Sequence, residues 1–203
     1  TVEHAYKVGR YLGWYYSQNG KAKVVIGKDT RRSSYMFEYA LVSGLTASGA
    51  DVYLLQVTTT PSVSYVVTSE EFDCGIMISA SHNPYYDNGI KILDGNGHKM
   101  DAGVENLIEQ YIDGLIDELP YATKDEIGCA LDYSIGRNRY IGYLMSIPTR
   151  AFRNYRVGLD CANGASSAIA KSVFDALGAK TYVINSDPDG LNINTNCGST
   201  HIE

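Results

Sequence analysis

Short apolar runs alternate with segments of helical periodicity over most of this chain. Four runs have the length and the flanking turn residues of strands buried in a sheet. These four predicted strands cover residues 23–26, 52–55, 74–78 and 90–93. Around them, apolar residues recur at the spacing of an amphipathic helix, and Gly, Asn or Pro marks the segment ends. The predicted helices cover residues 1–18, 35–48, 101–119 and 133–147, and residues 58–62 are predicted to open a further short helix that ends at about residue 68.

The order of these elements predicts the fold class. Strands joined by crossover helices are typical of an α/β protein, here a three-layer α/β/α domain around a mixed sheet. We predict that this first domain covers residues 1–150, with its last helix as a bridge, and that residues 151–203 are the first part of a second, similar α/β domain. The elements predicted in the second part are a strand, a turn, a helix and a strand, over residues 156–160, 161–164, 165–177 and 180–184.

Three further local predictions complete this picture. Ser33 or Ser34 is expected to cap the helix that starts near residue 35, because a serine hydroxyl can bond the free N–H groups of a first turn. Residues 121–132 are predicted to be a polar connector. Residues 192–203 are polar and are predicted to add no further core element.

Composition and charge exclude several classes of protein. The chain has 203 residues, 44% of them hydrophobic, and a formal net charge of −6 with scattered basic residues, which predicts no nucleic-acid partner. No stretch approaches the roughly 18 apolar residues of a membrane span, so no membrane partner is expected. Cys74, Cys129, Cys161 and Cys197 are far apart, which favours free thiols and a cytoplasmic location. The four histidines show no metal-binding spacing.

A serine-containing loop is the main candidate site. The predicted strand 74–78 ends at the polar sequence Ser79-Ala80-Ser81-His82-Asn83-Pro84, so a buried strand delivers Ser81 to a sheet edge. Asn88-Gly89 predicts a tight turn, after which the chain returns through Lys91. A hydroxyl, an imidazole and an ammonium group, those of Ser81, His82 and Lys91, are therefore expected to meet in one loop.

The residues alone leave the chemistry of this loop open. Acyl transfer is disfavoured, because the Gly-x-Ser-x-Gly elbow is absent and a triad histidine normally reaches its serine from elsewhere in the fold, whereas His82 follows Ser81 directly. An ordinary polar loop, in which Ser81 and Asn83 bond their own backbone, is the alternative. Lys91 could equally be a solvated lysine at a strand edge.

Residues 79–84 together with Asp87-Asn88-Gly89-Ile90-Lys91 resemble the phosphoserine loop of the α-D-phosphohexomutase superfamily. Further matches lie at residues 26–31, 160–165 and 190–194, so the likeness covers essentially the whole chain. Within the superfamily, the chain is most similar to the bacterial phosphoglucosamine mutases. The serine loop is the specific part of this resemblance, and the other motifs would each be weak alone.

The resemblance implies roles for six residues. Ser81 matches the residue that carries a phosphoryl group, Lys91 matches the candidate general acid and base, and His82 is a third catalytic candidate. Supporting roles are implied for Asn83, Asp29 and Arg31. For the last two, an ordinary surface ion pair is the alternative.

The resemblance also implies an activity. The intact enzyme would interconvert glucosamine 6-phosphate and glucosamine 1-phosphate through a bisphosphorylated sugar, with Mg²⁺ bound through the phosphate on Ser81. Its partners would be a hexosamine or hexose phosphate and the bisphosphate, and a homodimer is left open. The Asp-Gly-Asp-Gly-Asp-Arg metal motif of the family is absent here and its members are about twice as long, so we expect this chain to be an incomplete and inactive part.

Two alternatives to this activity remain. One is a related phosphoglucomutase or phosphomannomutase, since the family's sugar-recognition loop is absent from these residues. The other is a non-catalytic interaction module that retains the first domain, because a fold alone does not determine function.

Overall fold

The structure, a computed structural model, describes residues 1–201 of the chain. Its helices are α1 (Val2–Tyr16), α2 (Arg32–Ala47), α3 (Thr60–Ser69), α4 (Ala102–Ile112), α5 (Ser134–Ser146) and α6 (Ala170–Ala176). Its strands are β1 (Lys23–Lys28), β2 (Asp51–Val57), β3 (Cys74–Ile78), β4 (Ile90–Asp94), β5 (Ala130–Asp132), β6 (Arg156–Asp160) and β7 (Lys180–Ile184). The last two residues of the predicted polar segment, Ile202 and Glu203, lie outside the described residues.

The first five strands form one mixed sheet in the order β4-β3-β1-β2-β5. Strand β1 lies at its centre and pairs in parallel with both β2 and β3, and β5 is parallel to β2. Strand β4 returns antiparallel to β3, with Ile78 opposite Ile90 and Met77 opposite Lys91. The predicted α/β class with a mixed sheet is therefore confirmed.

Helices cover both faces of this sheet, because successive strand residues point to opposite sides. On one face, buried Val24, Ile26 and Ile76 pack with residues of α1, α2 and α4. On the other face, Val25 and Met77 pack with residues of α3. The result is the predicted three-layer arrangement, with the carboxyl ends of β1, β2 and β3 at one edge of the sheet.

Helices α1 and α2 approach each other closely through Gly9 and Gly44. A Cβ on Gly9 would overlap the Leu41 carbonyl oxygen, and one on Gly44 would overlap the Tyr6 carbonyl oxygen. Only glycine lets the two backbones pack at this distance. This contact fixes α2, whose first residue follows directly on the loop that supports the candidate site.

Two predicted helices are shorter in the structure than the sequence predicts. The helix predicted over residues 101–119 ends at Ile112, because Gly114 adopts a left-handed φ of 75° and the Leu115 N–H bonds the Gln110 carbonyl. The helix predicted over residues 165–177 divides into a 3₁₀ turn, Ala165–Ala168, and α6.

The connector predicted over residues 121–132 contains the edge strand β5. Its Ala-Leu-Asp sequence is too short and too exposed to show a strand pattern. The predicted serine cap of α2 is also wrong, since the helix begins at Arg32 and the buried Ser34 lies inside its first turn. The Ser34 hydroxyl bonds Asp29 instead.

The second sheet consists of β6 and β7, which pair in parallel along their full length. We call the part of the chain built on the five-stranded sheet the first unit, and the part with β6, β7, α6 and the residues after β7 the second unit. Helix α6 packs against the second sheet, and α5 packs between α6 and the first unit. Tyr140 of α5 lies in one cluster with Ile169 and Val173, while Tyr143 of the same helix stacks on Tyr65 of α3 at 4.5 Å between ring centroids. The division of the chain into domains at residue 150 stays a prediction.

Candidate active site at the serine loop

The serine loop, residues 79–89, joins β3 to β4 and is held at its base from both sides. The Asp29 N–H donates to the Ile78 carbonyl at 3.0 Å, which ties the loop to the end of β1. The Ser79 N–H donates to the Gly89 carbonyl at 2.9 Å and closes the loop. A Cβ on Gly89 would lie 2.8 Å from the Ser79 carbonyl oxygen, so this closure requires glycine.

Ser81 is exposed at the top of this loop with a left-handed backbone, φ 55°. This conformation costs a non-glycine residue about 1–2 kcal/mol, and such strain is concentrated at functional sites. The Ser81 N–H donates to the Ser79 hydroxyl at 3.1 Å. The side chain of Asn83 bonds the Asp87 carboxylate at 3.0 Å, so it does not bond its own backbone as the polar-loop alternative supposed.

Asp29 and Arg31 support the loop from below as a buried ion pair. Both side chains are only 1–3% exposed, so the alternative of a surface ion pair is wrong. The Arg31 guanidinium also donates to the Asn83 carbonyl at 2.7 Å and to the Ser81 carbonyl at 3.4 Å. The Asp29 carboxylate accepts bonds from the Ser34 hydroxyl and from the Arg31 N–H, each at 3.0 Å.

His82 and Lys91 are both exposed, His82 directly after Ser81 in the loop and Lys91 on β4 opposite Met77. Ile90 and Ile92 pack toward α1 and α2, so Lys91, which alternates with them on β4, lies on the opposite face of the sheet. Within residues 1–201, no hydrogen bond or ion pair links the side chains of Ser81, His82 and Lys91. The structure thus places the three predicted catalytic residues on one hairpin with their polar groups free to meet a ligand.

A second buried ion pair, which sequence reasoning missed, lies beside the site. The Lys28 ammonium is 2.5 Å from the Glu38 carboxylate, 3.3 Å from the Gln56 side-chain oxygen and 4.2 Å from the centroid of the Tyr35 ring. Lys28 is the last residue of β1, and a charged residue at the end of an apolar strand is the one sequence signal for it. The pair lies at the same sheet edge as Asp29, which directly follows Lys28 in the chain.

The second unit also reaches the serine loop. The Asn194 side-chain amide donates to the carbonyl oxygens of Ser81 and Asn83, each at 2.9 Å. Two further bonds join the units beside it, from the Thr30 hydroxyl to the Asn163 carbonyl at 2.6 Å and from the Arg32 N–H to the Gly190 carbonyl at 2.9 Å. The motif at residues 190–194 is visible in the sequence, but no local pattern there predicts a role for Asn194.

The described residues do not offer a magnesium site on their own. Among residues 1–201, no three His, Cys, Asp or Glu side chains lie close enough together to hold a metal ion. The carboxylates near the loop are engaged, Asp29 with Arg31 and Asp87 with Asn83. Mg²⁺ prefers a few carboxylates together with phosphate oxygens, and this donor set falls short of that.

Comparisons with a family model and with curated relatives identify the same family of sugar-phosphate mutases. The model of the phosphoglucomutase/phosphomannomutase α/β/α domain I matches residues 1–117. The phosphoglucosamine mutase of Lachnoclostridium phytofermentans is 70% identical over 203 residues, which are 100% of this chain and 45% of that protein. The phosphoglucosamine mutase of Lachnospira eligens is 68% identical over 100% of this chain and 46% of that protein.

Solved structures agree with this result. A phosphoglucomutase/phosphomannomutase family protein from Burkholderia thailandensis superposes with a TM-score of 0.78 at 25% identity, over 94% of this chain and 41% of that one. The chain spans less than half the length of the curated relatives it matches. No helix among the described residues is long and apolar enough to cross a bilayer.

Proposed function

This chain belongs to the phosphoglucomutase/phosphomannomutase family, and on that premise we propose that the intact protein interconverts glucosamine 6-phosphate and glucosamine 1-phosphate. The observation that carries the proposal is the exposed Ser81, presented in a left-handed conformation on a loop whose carbonyl groups are bonded by Arg31 and Asn194. The choice of an amino sugar rests on the high identity to relatives that are named phosphoglucosamine mutases. Because the chain spans less than half of those relatives, turnover is expected only from the intact protein.

In the proposed reaction, Ser81 starts as a phosphoserine. A hydroxyl of the bound sugar monophosphate attacks the phosphorus, so that a bond to the sugar oxygen forms as the bond to Ser81 Oγ breaks. The products are a sugar bisphosphate and an unmodified serine. Phosphoryl transfer depends mainly on positioning and charge neutralisation, which suits a loop that is held rigidly at its backbone.

The return step regenerates the phosphoserine. After the bisphosphate reorients, Ser81 Oγ attacks the other phosphate and loses its proton, and the isomeric monophosphate leaves. We assign proton transfer to Lys91, which takes the proton of the attacking hydroxyl and gives a proton to the departing oxygen in each direction. His82, beside Ser81, contributes a polar contact to the sugar phosphate.

Mg²⁺ belongs to this proposal on the strength of the resemblance, with a phosphate oxygen on Ser81 as one ligand. When bound, it would neutralise charge on the transferred phosphoryl group. The described residues do not supply its carboxylates, so the steps above are built from Ser81, Lys91 and the loop alone.

The remaining expectations belong to the same proposal. The substrate is a hexosamine phosphate and the intermediate its bisphosphate, and a phosphoglucomutase or phosphomannomutase activity is the second candidate. All four cysteines are unpaired, which supports a cytoplasmic location. A homodimer and the absence of nucleic-acid and membrane partners stay predictions.

Phosphopeptide mass spectrometry on the intact protein, purified from its own cells, tests the proposed function. We expect phosphate on Ser81 in the peptide that spans residues 76–91. The Ser81→Ala variant should lose this phosphate and reduce mutase activity to the background of the assay, because no other hydroxyl is presented in the same position. Ser43→Ala, on the exposed surface of α2, is the matched control and should keep normal activity.

Assays with competing sugar phosphates then separate the candidate functions. Preference for glucosamine phosphates supports the proposal, and preference for glucose or mannose phosphates favours the second candidate. Normal turnover by Ser81→Ala would refute the phosphoserine mechanism. A protein without phosphate on Ser81, even after incubation with Mg²⁺ and a hexose bisphosphate, would instead favour a non-catalytic module.

A further inference from the structure

Asn194 lies in the second unit but bonds the backbone of the serine loop in the first unit. The residues predicted to form the site all lie in the first unit. The Asn194 side-chain nitrogen lies 2.9 Å from the Ser81 carbonyl oxygen and 2.9 Å from the Asn83 carbonyl oxygen. A primary amide carries two N–H donors on one nitrogen, so each carbonyl can accept its own hydrogen. One side chain from the second unit therefore holds the peptide groups that follow Ser81 and Asn83.

The position of Asn194 is itself fixed by its backbone. Its φ is 59°, a left-handed conformation that asparagine tolerates better than most residues. Its N–H donates to the Ala162 carbonyl at 2.9 Å, which ties it to the turn after β6. The preceding residue, Ile193, is buried. Asn194 is thus held by the second unit and projects its amide toward the serine loop.

The contact has a consequence for the face of the loop that a phosphate would occupy. In a trans peptide group the N–H points opposite to the carbonyl, so fixing the Ser81 carbonyl directs the His82 N–H away from Asn194. That N–H has no acceptor within residues 1–201, which leaves it as a donor for a phosphate on Ser81. Arg31 holds the same two carbonyls from the first unit, so the pair clamps one short stretch of backbone.

We infer that Asn194 is a positioning residue for phosphoryl transfer at Ser81, acting through the loop backbone. The inference rests on the proposed function and extends it, because it makes the second unit part of the machinery that aims the phosphoserine. In this role Asn194 acts on the loop backbone, and neither the sugar nor the transferred group needs to contact it. Its loss therefore changes how well the loop is oriented and leaves the affinity for the sugar phosphate nearly unchanged.

The test compares Asn194→Gly with Asn196→Gly in the intact protein. Glycine removes the amide and accepts the left-handed backbone, so neither variant adds strain. Asn196 has a similar φ of 51°, is exposed, and makes no side-chain hydrogen bond within residues 1–201, which makes it a matched control. We expect Asn194→Gly to lower kcat by about 10- to 100-fold, as for a small misplacement of reacting groups.

The same experiment includes two readouts that a merely structural role would not produce together. The KM for glucosamine 6-phosphate should stay within about twofold, because binding groups are untouched. Hydrogen exchange should become faster at the backbone amides of Ser81 and Asn83 in the loop, but not at the amides of the neighbouring strands. Asn196→Gly should match the unmodified protein in kcat, KM and exchange.

Contrary results separate this inference from the proposed function. If phosphorylated, folded Asn194→Gly keeps a normal kcat, or if its kcat falls no further than that of Asn196→Gly, Asn194 is not a positioning residue. A parallel rise in KM would likewise overturn the inference and make Asn194 a binding residue. If the unmodified protein carries no phosphate on Ser81 and shows no mutase activity, the proposed function fails instead. In that case hydrogen exchange still tests the contact, because an unchanged exchange rate of the serine loop in Asn194→Gly would show that Asn194 does not hold the loop backbone.

Discussion

At the scale of single residues, the candidate site depends on how one loop backbone is held. The carbonyl oxygens of Ser81 and Asn83 each accept hydrogen bonds from Arg31 and from Asn194. A charged guanidinium makes stronger hydrogen bonds than a neutral amide, so Arg31 contributes more than Asn194 to holding the loop backbone. Its own position depends on the buried carboxylate of Asp29, which makes the ion pair part of the site and not a separate surface feature.

Arg31→Ala should destabilise the protein strongly. Removing one partner of a buried ion pair leaves the other charge uncompensated, which costs about 3–5 kcal/mol in the free energy of unfolding. Arg31→Lys keeps the charge but not the forked geometry, so a smaller loss is expected. Urea denaturation measures both values.

The neighbouring Arg32 provides the control for this prediction. Its side chain is exposed, and Arg32→Ala should change the free energy of unfolding by no more than about 0.5 kcal/mol. Equal effects of Arg31→Ala and Arg32→Ala would show that the buried ion pair does not stabilise the loop.

At the scale of elements, local pattern predicted most strands and helices but not all of their ends. The ends of the four strands of residues 23–94 lie within two residues of their predicted positions, because apolar runs of this length are bounded by turn formers. Helix α4 ends early because Asp113-Gly114 forms a helix-ending motif, a signal that is present in the sequence. Strand β5 carries no such signal and exists only because β2 offers it an edge.

The close packing of α1 on α2 makes a second prediction. Gly44→Ala places a methyl group against the backbone of α1, so we expect a loss of about 1–3 kcal/mol in the free energy of unfolding. Gly142→Ala in α5 has open space around its Cβ and should instead stabilise by about 0.4–1 kcal/mol. Thermal and urea denaturation of both variants check the two signs.

A stabilising Gly44→Ala would mean that the two helices lie further apart than described. A destabilising Gly142→Ala would contradict the open environment of that helix position. The pair therefore separates a packing effect from the general preference of helices for alanine over glycine.

At the scale of the whole molecule, the two units meet through α5 and through the loops around the serine site. Helix α5 supplies apolar contact, and the bonds from Thr30, Arg32 and Asn194 supply polar contact beside Ser81. The orientation of the candidate catalytic loop thus depends on both units.

The reactivity of the four free cysteines tests which parts of the molecule are buried. Cys74, Cys161 and Cys197 are buried, whereas Cys129 is exposed, so one thiol should react with Ellman's reagent in the native state and four after unfolding. Hydrogen bonding to Asp51 raises the pKa of the Cys129 thiol, so its reaction should be slow at neutral pH and quicken as the pH rises. Burial raises the pKa of the Cys74 thiol.

Cys129→Ser is the control, and it should remove the native reaction completely. Rapid reaction of a second thiol in this variant would contradict the burial of Cys74, Cys161 and Cys197.

The sequence by itself determined the fold class, the strand order along the chain and the serine loop, because each depends on local periodicity or on a contiguous motif. Only the tertiary structure decided that Asp29 and Arg31 are buried, that residues 130–132 form a strand, and that Asn194 reaches Ser81. Burial and edge pairing depend on which elements cover a residue, not on its neighbours in sequence. The Asn194 contact joins residues 113 positions apart, and no local pattern encodes such a separation.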